Sequence, residues 1–224
     1  MSTDTTDYFA NHVRARQFPW TLYHQPLEKD LAKFLLQVAA EHASGEVLVV
    51  GCGLLHEIDA APSGLTFHVA DIDERAVAAV LARQDLRITG GTVVPPELPI
   101  DQALAAKLAG GRRFAAIYAK EVVEHVRAWP GWLTGLRRAL VPGGRLWLST
   151  PNYGEPWLAA LESTVLELIA RRSGFSRRDL HPTRFSRRSL ARGLACAGFE
   201  QVEVRVAPSR LALTAWAERP RSGT

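Results

Sequence analysis

The run Glu46-Val47-Leu48-Val49-Val50-Gly51-Cys52-Gly53, followed after a short segment by Leu65-Thr66-Phe67-His68-Val69-Ala70-Asp71, decides the fold class of this chain. Both runs are apolar and rich in β-branched residues, and Gly51, Gly53, Pro62 and Gly64 punctuate them, so they read as buried strands. Gly51 and Gly53 let the backbone turn sharply and come close to a ligand. Asp71 stands 20 residues after Gly51, the spacing at which a carboxylate on a second parallel strand reaches a ribose hydroxyl. A nucleoside-containing cofactor held on a parallel sheet is the expectation.

A dinucleotide-binding turn wants a third glycine at the position filled by His56, and Leu54 and Leu55 precede it. That weakens a pyrophosphate site. S-adenosylmethionine carries no phosphate, and a looser turn suffices for it.

At 224 residues, with 47% hydrophobic and 22% charged residues, the chain fits one α/β domain with a sizeable core, or one domain with a modest insertion. No apolar run approaches the roughly 20 residues needed to cross a membrane. The polar, acidic start MSTDTTDYF is not a signal peptide. Two cysteines, Cys52 and Cys196, are too few for a disulfide framework, so a reduced, cytoplasmic protein is expected. Net charge is +4 with pI near 9.4. Arginines crowd the stretch from Arg171 to Arg192, where Asp179 is the sole acid. This stretch reads either as an anion-binding rim or as a solvated face.

Along the chain, residues 1–7 read as disordered, and Pro26 opens a helix with Leu27, Leu31, Phe34, Leu35 and Val38 at helical spacing. A short helix follows Gly53. Another runs from Glu74 to Arg83. Leu86 to Val94 is open between strand, hairpin and loop because of Gly90-Gly91. Ala103 to Leu108 reads as a helix and Phe114 to Tyr118 as a buried strand, with helix from Glu121 onward. Trp132 to Leu140 reads as a helix stopped by Val141-Pro142-Gly143-Gly144, with Gly143 as a left-handed cap. Arg145 to Thr150 is a strand, and a helix from Pro156 to Arg171 sits in an insertion. A last helix spans Ser186 to Ala197. Glu200 to Val206 and Leu211 to Ala217 are joined by a link short enough to force antiparallel pairing. The predicted fold is α/β: a Rossmann-like, seven-stranded, mainly parallel sheet with a C-terminal antiparallel hairpin and helices on both faces.

Four pieces, VLVVGCG (47–53), Asp71, FAAIYAKEVVEHV (114–126) and LRRALVPGGRLWLSTPN (136–152), resemble class I S-adenosylmethionine-dependent methyltransferases. A fifth, HPTRFSRRSL (181–190) leading to Ala197-Gly198-Phe199, resembles the branch containing ubiquinone-type O-methyltransferases. The resemblance implies a lid or helical segment over 1–43, a methyltransferase domain over 44–217 with a substrate cap at 151–185, and a tail at 218–224. It implies that Gly51, Cys52 and Gly53 lie against the methionine part of S-adenosylmethionine, that Asp71 binds the ribose, and that Ile72 touches the adenine. Lys120 and Glu121 would face the sulfonium and the substrate. Three departures stand out. Val49 replaces the usual acid before the first glycine, Leu55 replaces the third glycine, and the adenine-binding acid after the third strand has only Glu97 and Asp101 as candidates.

Glu121, Glu124 and His125 stand at i, i+3 and i+4, which on a helix is one face. Three readings stay open. His125 is a general base for a substrate hydroxyl. Alternatively, Glu121, Glu124, His125 and the later His181 hold Mg²⁺ or another divalent cation. Otherwise the acids cap a helix start and His125 packs. The E-x-x-E-H…H pattern also resembles metal-dependent small-RNA 2′-O-methyltransferases. Trp20, Tyr23 and Arg184 are candidate substrate contacts. The expected activity is O-methylation of a small organic molecule, anionic or carrier-linked. An RNA 2′-O-methyltransferase and a non-catalytic binding protein of the same fold are the alternatives.

Overall fold

The structure, a computed structural model, describes residues 20–95, 102–103, 112–156 and 181–221, with only the backbone of residues 20–22. The expected disorder of 1–7, residues 104–108 and 157–171 of the two expected helices, Glu97, Asp101 and the side chain of Trp20 lie outside the described residues.

Seven strands form one sheet in the order β3-β2-β1-β4-β5-β7-β6. β1 (Glu46–Val50) lies between β2 (Thr66–Asp71) and β4 (Phe114–Lys120), parallel to both. β3 (Ile88–Val93) extends the parallel set beside β2, which resolves the ambiguous Gly90-Gly91 stretch as a strand. β5 (Leu140–Pro151) is parallel to β4. β7 (Ala212–Glu218) runs antiparallel to β5 and to β6 (Glu200–Val206).

Strand periodicity sorts the core into two layers. Val47 and Val49 of β1 face α1 (Trp20–Glu41) and α2 (Glu74–Leu81), packing with Leu27, Leu31, Phe34, Val77 and Val80. Leu48 and Val50 face the opposite side, where Leu133 and Leu136 of α3 (Trp129–Ala139) meet Leu190 and Leu194 of α4 (Arg187–Cys196). Ser186 caps α4 reciprocally with Ser189, a capping box built from two serines.

Three local expectations are corrected. Among the described residues α1 is already helical at Trp20, and Pro26 lies inside it. Proline removes one helical hydrogen bond, yet the turn before it is held by tertiary contact, because the Tyr23 hydroxyl reaches Glu121. Gly143 does not cap a helix. Leu140 is already extended at ψ 152°, and Gly143, at φ +76°, bends the start of β5 so that its N–H donates to Arg219 O at 2.9 Å. The region after Glu121 forms only a single 3-10 turn, Val123–His125.

One buried contact ties α1 to the sheet. Asp30 Oδ2 accepts the indole N–H of Trp147 on β5 and that of Trp216 on β7, each at 2.9 Å. Trp147 is fully buried, so losing its acceptor leaves a buried donor unsatisfied. Asp30→Ala is expected to lower unfolding free energy by about 2 kcal/mol, and Asp30→Asn by less because one oxygen acceptor remains. Urea denaturation with an unchanged m-value checks both.

Candidate functional site

The strand order reverses between β1 and β4, and in open α/β sheets the crevice beyond the carboxyl ends of such strands is the ligand position. Gly51 leaves β1 at φ +70° and Gly53 follows at +48°. A Cβ on Gly51 would stand 2.4 Å from Val122 Cγ2, so the turn is pressed against the chain leaving β4. The Gly53 N–H donates to Asp71 Oδ2 at 3.2 Å and the Asp73 N–H to Asp71 Oδ1 at 3.0 Å. The Asp71 carboxylate therefore straps the loop after β1 to the loop after β2.

Leu55, at the place of the third glycine, adopts φ +50° and is buried. Its carbonyl and that of Leu54 accept from Arg83 Nη1 at 2.7 and 3.2 Å. The left-handed conformation costs about 1 kcal/mol for a residue with a side chain, and burial of the isobutyl group offsets it. Val49, in place of an acid, is buried in the layer beneath α1. Cys52 is buried, and burial, with the neighbouring Asp71 charge, pushes its thiol up. The thiolate a nucleophile or metal ligand needs is thereby disfavoured. Ile72 is 67% exposed beside Asp71. Lys120 pairs with Glu57 of the 3-10 segment His56–Ala60 and lies 3.9 Å from Glu28 of α1. Burial works against the Glu57 charge, but the Lys120 ammonium outweighs it and holds that carboxyl below its usual range.

Glu121 sits at φ +57°, with its N–H donating to Ser149 O and Oγ, each at 3.2 Å. Its carboxylate accepts the Tyr23 hydroxyl at 2.5 Å and the Ser149 hydroxyl at 2.8 Å. Burial pushes the Glu121 carboxyl up, against those two hydrogen bonds and the Lys120 charge. Burial and the Glu121 charge also push the Tyr23 phenol well up, so it stays a donor. The left-handed exit from β4 means that Glu121, Glu124 and His125 share no helix face. Glu121 belongs to a hydrogen-bonded group with Tyr23 and Ser149.

Glu124, His125 and His181 do come together. One ligand atom of each lies within 4.8 Å of the others, and the two imidazole centroids are 4.9 Å apart. Glu124 is 1% exposed. It accepts the Thr150 hydroxyl at 3.0 Å, and its Oε1 lies 3.9 Å from His125 Nε2. The Thr183 N–H donates to Glu124 O at 3.2 Å and the Thr183 hydroxyl to Val126 O at 2.9 Å, which brings the segment with His181 against the 3-10 turn. The Tyr153 hydroxyl is bonded to His181 Nδ1 at 2.6 Å. The Arg184 guanidinium lies over the Tyr153 ring at 5.2 Å.

Sequence reasoning passed over Ser149, Thr150 and Tyr153. Ser149 and Thr150 left a signal, a polar pair ending an otherwise apolar strand at the sheet's carboxyl edge. Tyr153 left none.

The family model described as "Methyltransferase domain" matches residues 23–204. No curated protein sequence matches the chain. Among solved structures, magnesium protoporphyrin IX methyltransferase from Synechocystis PCC 6803 with bound S-adenosylhomocysteine superposes with a TM-score of 0.64 at 16% identity, over 96% of this chain and 95% of that one. The N-methyltransferase NodS from Bradyrhizobium japonicum WM9, in complex with S-adenosylhomocysteine, gives 0.59 at 16% identity over 95% and 98%. The CurJ carbon methyltransferase gives 0.63 at 17% identity over 86% of this chain, which spans only 54% of that chain.

Two variants probe the site. Gly51→Ala meets both a steric overlap and a left-handed φ, and is expected to destabilise by about 2 to 4 kcal/mol. Adding Val122→Ala relieves the overlap alone, so thermal denaturation should recover part of the loss and not all of it. Glu121 has a raised carboxyl, so its contribution to stability is complete below the unfolded carboxyl range near 4.3 and is lost as pH rises through the folded value. Glu121→Gln is therefore expected to match or exceed the native stability at pH 7, with a shallower fall above pH ~4.5 in pH-resolved denaturation.

Proposed function

The chain belongs to the methyltransferase-domain family and is an S-adenosylmethionine-dependent methyltransferase, and on that premise we propose that it methylates an oxygen of a small organic acceptor, in the manner of the ubiquinone-type branch. One juxtaposition carries this reading. The Gly51–Gly53 turn strapped by Asp71 touches Val122, and two residues on stands the buried Glu124 of the Glu124–His125–His181 cluster. A donor cradle and a set of proton-handling groups thus share one crevice. The free thiols of Cys52 and Cys196 suit a reducing, cytoplasmic setting.

The residues present fit the donor. Gly51 and Gly53 are both left-handed at the carboxyl end of β1, where open parallel sheets bind ligands, and the Asp71 carboxylate has lone pairs left after accepting two amides for ribose hydroxyls. S-adenosylmethionine, when bound, supplies the methyl group from its sulfonium. Gly51, Cys52, Gly53, Ile72 and Lys120 line or brace its place. Holding donor and acceptor in contact provides most of the rate in such a displacement. His125 takes the proton of the acceptor hydroxyl, and Glu124 offsets the charge its imidazole gains. Tyr23, reaching Glu121 from α1, closes the crevice on that side.

A second reading rests on the 4.8 Å cluster. One carboxylate and two imidazoles form a donor set suited to Mn²⁺, Fe²⁺ or Zn²⁺ more than to Mg²⁺, and a cation there would make a hydroxyl more acidic. Glu121, engaged by Tyr23 and Ser149, is no part of that set.

The test is calorimetric titration with S-adenosylhomocysteine. Micromolar binding is expected, weakened at least about tenfold in Asp71→Ala by the lost charge-assisted hydrogen bonds. A rise in Tm with Mn²⁺, reversed by chelator and absent in His181→Ala, supports the cation. No binding of S-adenosylhomocysteine overturns the assignment of the donor site.

A further inference from the structure

The arginines of the 184–192 stretch are not equivalent once folded. Arg184 is laid over the Tyr153 ring at 5.2 Å. Arg187 is turned toward the sheet, its Nε donating to Val204 O at 2.9 Å. Arg188 and Arg192 stand one helical turn apart on α4, both exposed, and both line a groove of about 610 Å³. No carboxylate lines that groove among the described residues, and α4 itself contains no acid.

Trp129, at the start of α3, also lines the groove. A Cβ on Gly193 would lie 2.7 Å from Trp129 Cζ3, so glycine in mid-helix, normally unfavourable by about 1 kcal/mol against alanine, is what lets the indole seat on α4. The indole also packs edge-to-face with Phe185, the ring centroids 5.3 Å apart. The groove therefore combines a fixed aromatic surface with two cationic side chains.

Its position gives it a role. Trp129 follows closely on the 3-10 turn holding Glu124 and His125, and α4 follows closely on the segment holding His181 and Thr183. The Thr183 contacts to Glu124 and Val126 join those two segments directly. The two elements that line the groove are thus continuations of the two segments that form the titratable cluster.

We propose that this groove, through Arg188, Arg192 and Trp129, binds the phosphate-bearing arm of the acceptor, a small organic phosphate with an aromatic or apolar body. Two arginines match one phosphate group, since guanidinium pairs with phosphate by two parallel hydrogen bonds. A nucleic acid strand would instead need a track of cations along several phosphates. The inference rests on the crevice being the methyl-transfer site and names the class of its acceptor.

The experiment is calorimetric titration of the full chain with phenyl phosphate, inorganic phosphate and a single-stranded oligonucleotide, each with and without saturating S-adenosylhomocysteine. Phenyl phosphate is expected to bind more tightly than inorganic phosphate. Arg188→Ala combined with Arg192→Ala is expected to weaken it at least about tenfold, while Arg205→Ala leaves it unchanged. S-adenosylhomocysteine affinity, equal in all these variants, reports that fold and donor site are intact. No phenyl phosphate binding with that affinity intact overturns the groove proposal alone, whereas loss of S-adenosylhomocysteine binding in the native chain overturns the methyl-transfer reading. Oligonucleotide binding tighter than phenyl phosphate, falling steeply with salt and lost in the double variant, also overturns the proposal, in favour of nucleic acid.

Discussion

The contact on which the site depends is the one between Gly51 and Val122. The chain leaving β1 and the chain leaving β4 approach so closely that a single Cβ would overlap a valine methyl group. Strands in a sheet lie about 4.8 Å apart, and their exits normally diverge to opposite faces at a reversal of strand order. Here too they part, toward α2 on one face and α3 on the other, but only after Gly51 and Glu121 have both taken left-handed conformations at the strand ends. The crevice between them is shaped by backbone, and side chains only line it.

Buried polar groups then fix what lines it. Ser149 and Thr150, consecutive at the end of β5, each engage one glutamate of the neighbouring segment, Glu121 and Glu124 respectively. Buried carboxylates are tolerated only when their lone pairs are satisfied. The pairs therefore set the conformation of residues 121–125 more strongly than helix propensity does. Tyr23 extends the same network to α1, and Asp30, accepting from Trp147 and Trp216, holds the middle of that helix on the sheet. α1 is thus bound at one point to the crevice and at another to the sheet, which makes it part of the wall.

Much of the fold was legible from residues alone. Strand alternation and the short link at Ala207-Pro208-Ser209-Arg210 are local signals, and β1, β2, β4, β6 and β7 follow them. The strand at Ile88–Val93 was not legible, because two adjacent glycines have no intrinsic strand preference and only pairing with β2 holds them extended. Gly143 was misread for a related reason. A left-handed glycine after a helix can cap it, but the N–H here is taken by Arg219 across the bend of β5.

The sequence by itself determined the class of protein: the glycine turn, the acid 20 residues on, and the alternation of strands with helices encode a nucleoside cradle on a parallel sheet, because those signals are short-range and periodic. Tertiary structure alone decided which polar side chains work together. Glu121, Glu124 and His125 have the i, i+3, i+4 spacing of one helix face, yet the buried hydroxyls of β5 separate the first from the other two, and His181 joins them from 56 residues later. Likewise four arginines between 184 and 192 look alike in sequence, and only packing against Tyr153 and β6 leaves Arg188 and Arg192 to the groove. Long-range hydrogen bonds, unlike periodicity, leave no trace in the order of residues along the chain.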